Sequence, residues 1–307
     1  MQRPIRIGTR GSDLALAQAN TVASLLAKAH HLEEGALEIV PIKTSGDLLQ
    51  EQRLSEVGGK GLFTKEIEEA LYDKRIDLAV HSMKDMPTEL PPGLIIDCVL
   101  QREDPRDAFI SPEARSIETL PKGAKFGTSS LRRAAQILAH RPDLEIVQFR
   151  GNVGTRLKKL EDGVASATLL AMAGLNRLGM PEVATDPVPV EKMIPAVAQG
   201  IVGIERRVED EDIAHILSPI HHVETAIVMA AERTFLAALD GSCRTPLAAH
   251  AVYEKGRIRF RGQILTPDGK IVHTAERDGS PALSAALGAD AATELKAKGG
   301  PEFFATW

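Results

Sequence analysis

The chain has 307 residues, 43% of them hydrophobic and 4% aromatic, with a formal net charge of −5. That length predicts two or three domains, with enough apolar side chains for a sizeable core. Net acidity and few aromatic rings disfavour a globally basic nucleic-acid binder or a base-stacking surface.

In chain order, MQRPIRIGTRGSD holds no apolar segment of the signal-peptide kind, and Ile5 to Gly8 reads as a strand. Ser12 or Asp13 can cap a helix through LALAQANTVASLLAKAH. Leu37 to Lys43 is a second strand, and Ser45 to Gly61 is polar, Gly-rich and expected to be a mobile loop. From Thr64, Ile67, Ala70 and Leu71 share one helical face. IDLAVHS and LIIDCVL are strands. This alternation predicts a mostly parallel sheet with helices on both faces. QREDPRD (Gln101 to Asp107) reads as the crossing between two similar α/β lobes, because the alternation restarts after it with KFGTSS, LRRAAQILAHR, EIVQFRG, NVGTRLKKLEDG, SATLLA and AGLNRLG. Ile201 to Glu205 looks like a return strand, so two crossings would form a hinge. The last third changes character. A long helix, His222 to Leu239, leads into a turn at Cys243, then short strands with turns at EKG and PDG, then a helix over Ala282 to Lys298. No apolar run reaches the roughly 18 residues of a membrane span.

The expected domains are therefore 1–100 with 200–218 as a first lobe, 105–195 as a second, and 222–307 as an α+β domain with a small antiparallel sheet.

Basic residues recur at the ends of predicted strands, where open α/β sheets bind ligands. Arg10 and Ser12 follow the first strand, and Lys84 and Asp85 follow LAVHS. Arg132 and Arg133 start a helix, Arg150 ends a strand, and Arg156 and Arg177 lie in the helices that follow. A helix N-terminus repels two arginines unless an anion lies between them and the dipole. The recurrence favours a polyanionic small-molecule site over a solvated basic face. Asp85 reads equally as a surface partner of Lys84 or as a catalytic carboxylate in a cationic cleft.

Cys98 and Cys243 are the only cysteines, too few and too far apart for a disulfide framework, which predicts reduced, cytoplasmic surroundings. Cys98, inside LIIDCVL, is expected to be buried. Cys243 sits in a Gly/Ser/Arg/Pro turn beside Arg244, which favours the thiolate. Indifference, regulation and covalent attachment all stay open for it. No G-x-G-x-x-G, completed P-loop, H-E-x-x-H or C-x-x-C occurs, and the pairs His30–His31 and His221–His222 read as surface residues rather than metal ligands.

Taken together, IGTRGSDLALAQA, GGKGLFTKEIEEAL, AVHSMKDMPTELPPGL, REDPRDAFIS, GTSSLRRAAQI, FRGNVGTRLKKL, LLAMAGLNRLG, PAVAQGIVGIE and LDGSCRTPLAAHA resemble the porphobilinogen deaminase (hydroxymethylbilane synthase) family over almost the whole chain. The resemblance implies two lobes like type II periplasmic binding proteins plus a third α+β domain. It implies a transferase that condenses four porphobilinogen molecules into linear hydroxymethylbilane for haem and tetrapyrrole synthesis, releasing ammonia. It implies a dipyrromethane cofactor on Cys243 as a thioether and Asp85 as the catalytic aspartate. Lys84, Thr128, Ser130, Arg132 and Arg133 are the cofactor-binding matches; Arg10, Ser12, Arg150, Arg156, Arg177 and Gln199 are the substrate-binding ones.

Each pyrrole brings an acetate and a propionate, so a growing chain needs many fixed cations. The hinge and the polar loop are candidates for moving that chain past Asp85. Two departures stand out: AQG at Ala198 to Gly200, where many members read GQG, and DGSCR, where related proteins often read EGGC. Ala198 is expected to stiffen the interlobe return. A monomer without metal, nucleic acid or membrane is expected, with product handed to uroporphyrinogen-III synthase as an open question. The competing reading is a non-catalytic, periplasmic-receptor-like protein that captures an acidic ligand.

Overall fold

The computed structural model describes residues 3–48, 64–241 and 245–307. Strand β1 (Ile5–Arg10) leads to helix α1 (Asp13–His30) through Ser12, whose hydroxyl accepts a hydrogen bond from the Ala15 N–H at 3.4 Å. Then come β2 (Leu37–Ile42), a single helical turn α2 (Ser45–Leu48), α3 (Lys65–Tyr72), β3 (Leu78–Ser82) and β4 (Leu94–Val99). The expected loop from Ser45 thus begins as a helical turn, and its residues 49–61 lie outside the described residues. Next are β5 (Asp107–Ile110), β6 (Lys125–Gly127), α4 (Leu131–His140), β7 (Glu145–Val147), α5 (Val153–Glu161), β8 (Ala167–Ala171), α6 (Met172–Arg177) and β9 (Asp186–Val188). The chain continues through β10 (Val202–Arg207), α7 (Glu211–Leu217), α8 (Val223–Ala238), the strands β11 (Leu247–Glu254), β12 (Arg257–Leu265) and β13 (Val272–Gly279), and α9 (Ser284–Phe304).

The chain forms two compact units, Met1–Glu103 with Ile201–Ala226, and Asp104–Gly200 with Ile227–Trp307. The sheet of the first has the order β2-β1-β3-β10-β4. β1 runs parallel to β2 and β3, while β10 is antiparallel to both β3 and β4. The second unit repeats the plan as β7-β6-β8-β5-β9, with β6 parallel to β7 and β8 and with β5 antiparallel to β8 and β9. Each sheet therefore holds three parallel strands in the order second, first, third, then one antiparallel strand, then an edge. This is the type II binding-protein arrangement, and the α/β fold class stands as expected. The sheets are less parallel than the alternation suggests. β5 and β9 went unforeseen because one is a four-residue run straight after the crossing and the other, Asp186–Val188, contains Pro187.

Helices cover both faces of each of these sheets. In the first unit, Val22 and Leu26 of α1 pack with Ile7, Leu78, Val80 and Ile204 on one face. Ile67, Ala70 and Leu71 of α3 pack with Ile76 and Ala79 on the other. In the second unit, Phe109, Phe126, Ile137 and Leu169 fill one side, and Phe149, Leu160, Leu170 and Leu175 the other. That unit also contains the antiparallel sheet β11-β12-β13. There α9 approaches α8 so closely that a Cβ added at Gly288 would lie 2.0 Å from the Ala231 carbonyl oxygen.

Candidate active site

In the first unit the carboxyl ends of β1 and β3 lie side by side, with Ile7 opposite Leu78. The residues leaving those ends converge for that reason. Arg10, Ser12, Gln18, His81, Ser82 and Asp85 line a pocket of about 60 Å³. Asp85 ends the one-turn helix Met83–Asp85 and is exposed, and among the described residues no hydrogen bond or ion pair reaches its carboxylate. Lys84, half-buried, precedes it on the same turn. Gln18, which the sequence reading did not single out, donates from Nε2 to Ser82 Oγ at 2.8 Å and fixes the back of the pocket. Its signal was available: it lies on the helix that Ser12 caps, on the side turned to the sheet.

Beneath the pocket, His81 Nε2 lies 2.8 Å from Glu205 Oε2, with side-chain exposures of 5% and 0%. His81 follows the apolar run Leu78–Val80 and Glu205 the run Val202–Ile204, the sequence signal for them.

In the second unit, Asp107 draws three expected site residues together. Its carboxylate is fully buried, 2.8 Å from Arg132 Nη2 and 2.7 Å from Arg133 Nη2, and it accepts from Gln199 Nε2 at 3.0 Å. Arg132 also donates to the Ile194 carbonyl, and Arg133 to that of Leu169, each at 2.8 Å. Burial alone would raise the Asp107 carboxyl, but the charges of Arg132 and Arg133 outweigh it and hold it well below the ordinary carboxylate range. Burial lowers the Arg132 guanidinium, and Asp107 opposes that. The anion expected between these arginines and the start of α4 is thus present in the chain itself. Asp107 was read as the end of a crossing; it is instead the first residue of β5.

Two of the remaining basic residues bond backbone carbonyls. Arg156 Nε donates to the Gly151 carbonyl at 2.9 Å, and Arg177 Nη2 to that of Gly200 at 2.8 Å. Arg150 is half-buried, and its carbonyl accepts from Lys159 Nζ at 3.0 Å. Ser130 caps α4, accepting from the Arg133 N–H at 3.4 Å, and Thr128 Oγ1 accepts from the Ser130 N–H at 3.2 Å. Gln199 also donates to the Pro105 carbonyl at 2.8 Å. Ala198 has a left-handed backbone, φ 58°, and its N–H donates to Glu232 Oε2 at 2.6 Å. Glu232 Oε1 accepts from the Ala251 N–H at 2.8 Å, so one buried carboxyl ties this segment to β11.

Cys98 is 2% exposed and its thiol faces the Leu217 carbonyl at 3.5 Å. Burial, with a smaller push from Asp97, raises that thiol to about 12, which makes it inert. Cys243 lies outside the described residues. The paired histidines are held within the chain: His30 Nε2 lies 2.8 Å from the Ile216 carbonyl, and His221 Nδ1 accepts from the Val99 N–H at 3.3 Å. Among the described residues no helix is long and apolar enough to cross a membrane.

Two family models match, "Porphobilinogen deaminase, dipyromethane cofactor binding domain" over residues 5–215 and "Porphobilinogen deaminase, C-terminal domain" over residues 226–297. A porphobilinogen deaminase of Paracoccus denitrificans is 57% identical over 303 residues, spanning 99% of this chain and 97% of the relative. The chloroplastic porphobilinogen deaminase of Oryza sativa subsp. japonica is 53% identical, spanning 98% of this chain and 85% of the relative. Among solved structures, a putative methionine-binding lipoprotein of Bacillus subtilis superposes with a TM-score of 0.43 at 14% identity, over 72% of this chain and 91% of the other. The fold assignment stands on the strand order and not on that superposition.

Proposed function

The chain belongs to the porphobilinogen deaminase family, and from that membership we propose that it joins four porphobilinogen molecules head to tail into linear hydroxymethylbilane, with release of ammonia, for tetrapyrrole synthesis. It is a transferase working with a dipyrromethane cofactor. The receptor-like reading falls away, because relatives matching over nearly the whole chain are porphobilinogen deaminases.

The single observation that carries the chemistry is the exposed Asp85 carboxylate at a pocket with Arg10. Loss of ammonia from porphobilinogen leaves positive charge on its pyrrole. A carboxylate that no described residue bonds is available to stabilise that cation and to accept pyrrole N–H groups. Arg10 and Ser12 are assigned to substrate carboxylates, and so, on the family match alone, are Arg150, Arg156, Arg177 and Gln199.

The residue types in each unit suit a polycarboxylate cofactor: Lys84 beside Asp85 in the first, and the Thr128 and Ser130 hydroxyls at the start of α4 in the second. Cys243 is assigned as the covalent tether, and Lys84, Thr128, Ser130, Arg132 and Arg133 as its non-covalent holders. When bound, dipyrromethane supplies a fixed primer whose free pyrrole carbon accepts the first ring. The buried arginine pair, held by Asp107, contributes mainly by fixing the start of α4, where the Thr128 and Ser130 hydroxyls lie.

We further read the chain as three domains, 1–100 with 200–218, 105–195 and 222–307, working as a cytoplasmic monomer that passes its product on to uroporphyrinogen-III synthase. Intact-protein mass spectrometry is the decisive test. The wild type is expected to carry excess mass equal to a dipyrromethane, absent from Cys243→Ser. An active protein with unmodified Cys243 would defeat the tether.

A further inference from the structure

The proposed chemistry gives no role to three ionisable side chains beneath the pocket. His81 of β3 is 6% exposed, Glu205 of β10 is 0% and Glu68 of α3 is 8%. Ala79, two residues before His81, packs with Ile67, Ala70 and Leu71 of α3, so His81 leaves the sheet on the α3 face. There its Nε2 meets Glu205 Oε2 at 2.8 Å. Glu68 feels the charges of both partners. Burial pushes Glu68 above the ordinary carboxyl value, and the Glu205 charge adds to that. Among the described residues, Glu205 Oε1 and Glu68 Oε1 accept no hydrogen bond.

A buried carboxylate needs a compensating charge or donor, and the His81 imidazole stands 2.8 Å from Glu205. Charged groups also stand on the surrounding elements. Arg10 and Asp85 line the pocket with His81, Lys84 precedes Asp85, and Lys65 and Glu66 begin α3. Arg207, farther along β10, donates to the Ile76 carbonyl at 2.9 Å.

We propose that Glu205 is a positioning residue for the porphobilinogen reaction: it fixes the His81 ring in the pocket wall and, with Glu68, sets the charge that the ring presents beside Asp85. This rests on the function proposed above. In each condensation the C–N bond of an aminomethyl group breaks and a C–C bond forms. The attacking carbon gives up a proton, and the nitrogen departs as ammonia carrying that proton's equivalent. Positive charge rises and falls on the pyrrole meanwhile. An uncompensated cation in the wall would compete with the pyrrole for the Asp85 carboxylate. A ring whose charge is offset by Glu205 leaves Asp85 available.

The test compares wild type, Glu205→Gln and Glu68→Gln as full-length holoenzymes. Glu205→Gln is expected to lower kcat by roughly tenfold with KM little changed, and to displace the pH–rate profile. Glu68→Gln should displace the same profile by less. Nuclear magnetic resonance of the His81 ring should show it titrating at a different pH in Glu205→Gln from wild type. Should Glu205→Gln not fold, Glu68→Gln carries both readouts. Superimposable pH–rate profiles and ring titrations in every folded variant would overturn the proposal. A wild type that consumes no porphobilinogen would instead defeat the function reading, and the ring titration would still decide whether the cluster shares its protons.

Discussion

Arg133 Nη2 lies 2.7 Å from Asp107 Oδ1, in a place closed to solvent on both sides. With Arg132 and Gln199 on the same carboxylate, the start of α4 is built around an anion supplied by β5. Asp107→Ala leaves two buried guanidinia facing an empty position. We expect a loss of about 3–5 kcal/mol in urea unfolding at pH 7, together with impaired cofactor assembly seen by mass. A variant as stable as wild type would mean that the pair is compensated elsewhere.

The same carboxylate sets a pH dependence. Its folded value lies below its unfolded one, so the stability it contributes is fully present above the ordinary carboxylate value of 3.8. It is lost as pH falls below that value toward the depressed one. Asp107→Asn should therefore show a shallower loss of stability than wild type between about pH 4 and pH 2. Parallel curves would contradict the assignment.

Glu232 receives the N–H groups of Ala198 and Ala251 at 2.6 and 2.8 Å. Ala198 holds a left-handed backbone at φ 58°, which an alanine adopts only under constraint. Glu232→Ala orphans two buried donors, at about 1–3 kcal/mol each. A lower melting temperature is expected, and a protein that melts with wild type would remove the clamp.

Cys98, raised to about 12, should resist thiol reagents at pH 8 in the native state and react on unfolding. If Cys243 carries the thioether, native holoenzyme should then label nowhere, and Cys243→Ser should label only after denaturation. Native labelling of Cys98 would show that its strand opens.

Asp85 is exposed and unbonded among the described residues, so Asp85→Asn should keep stability within about 0.5 kcal/mol. Porphobilinogen turnover should fall by roughly 100-fold or more. Near-normal turnover would strip Asp85 of its role.

Local pattern made much of this legible. The 3.6-residue periodicity of Ile67, Ala70 and Leu71 announced α3, and Ser12 announced the start of α1. The basic residues after successive strands led to the expectation of an anionic ligand, since strand ends and helix starts are where such ligands bind; at Arg132 and Arg133 the anion in the structure is Asp107. Short, Pro-containing or junctional strands such as β5 and β9 carry too few residues to show a period.

The sequence by itself determined the fold class and the family motifs, and it named Asp85, Arg132 and Arg133 as candidates, because those depend on neighbours in the chain. Only the tertiary structure decided that Arg132 and Arg133 turn inward onto Asp107, and that His81 rests on Glu205, 124 positions away. Those pairings come from antiparallel return strands, β5 and β10, inserted among parallel ones. A strand's register against a distant partner is set by burial across the whole sheet, and no local pattern records it.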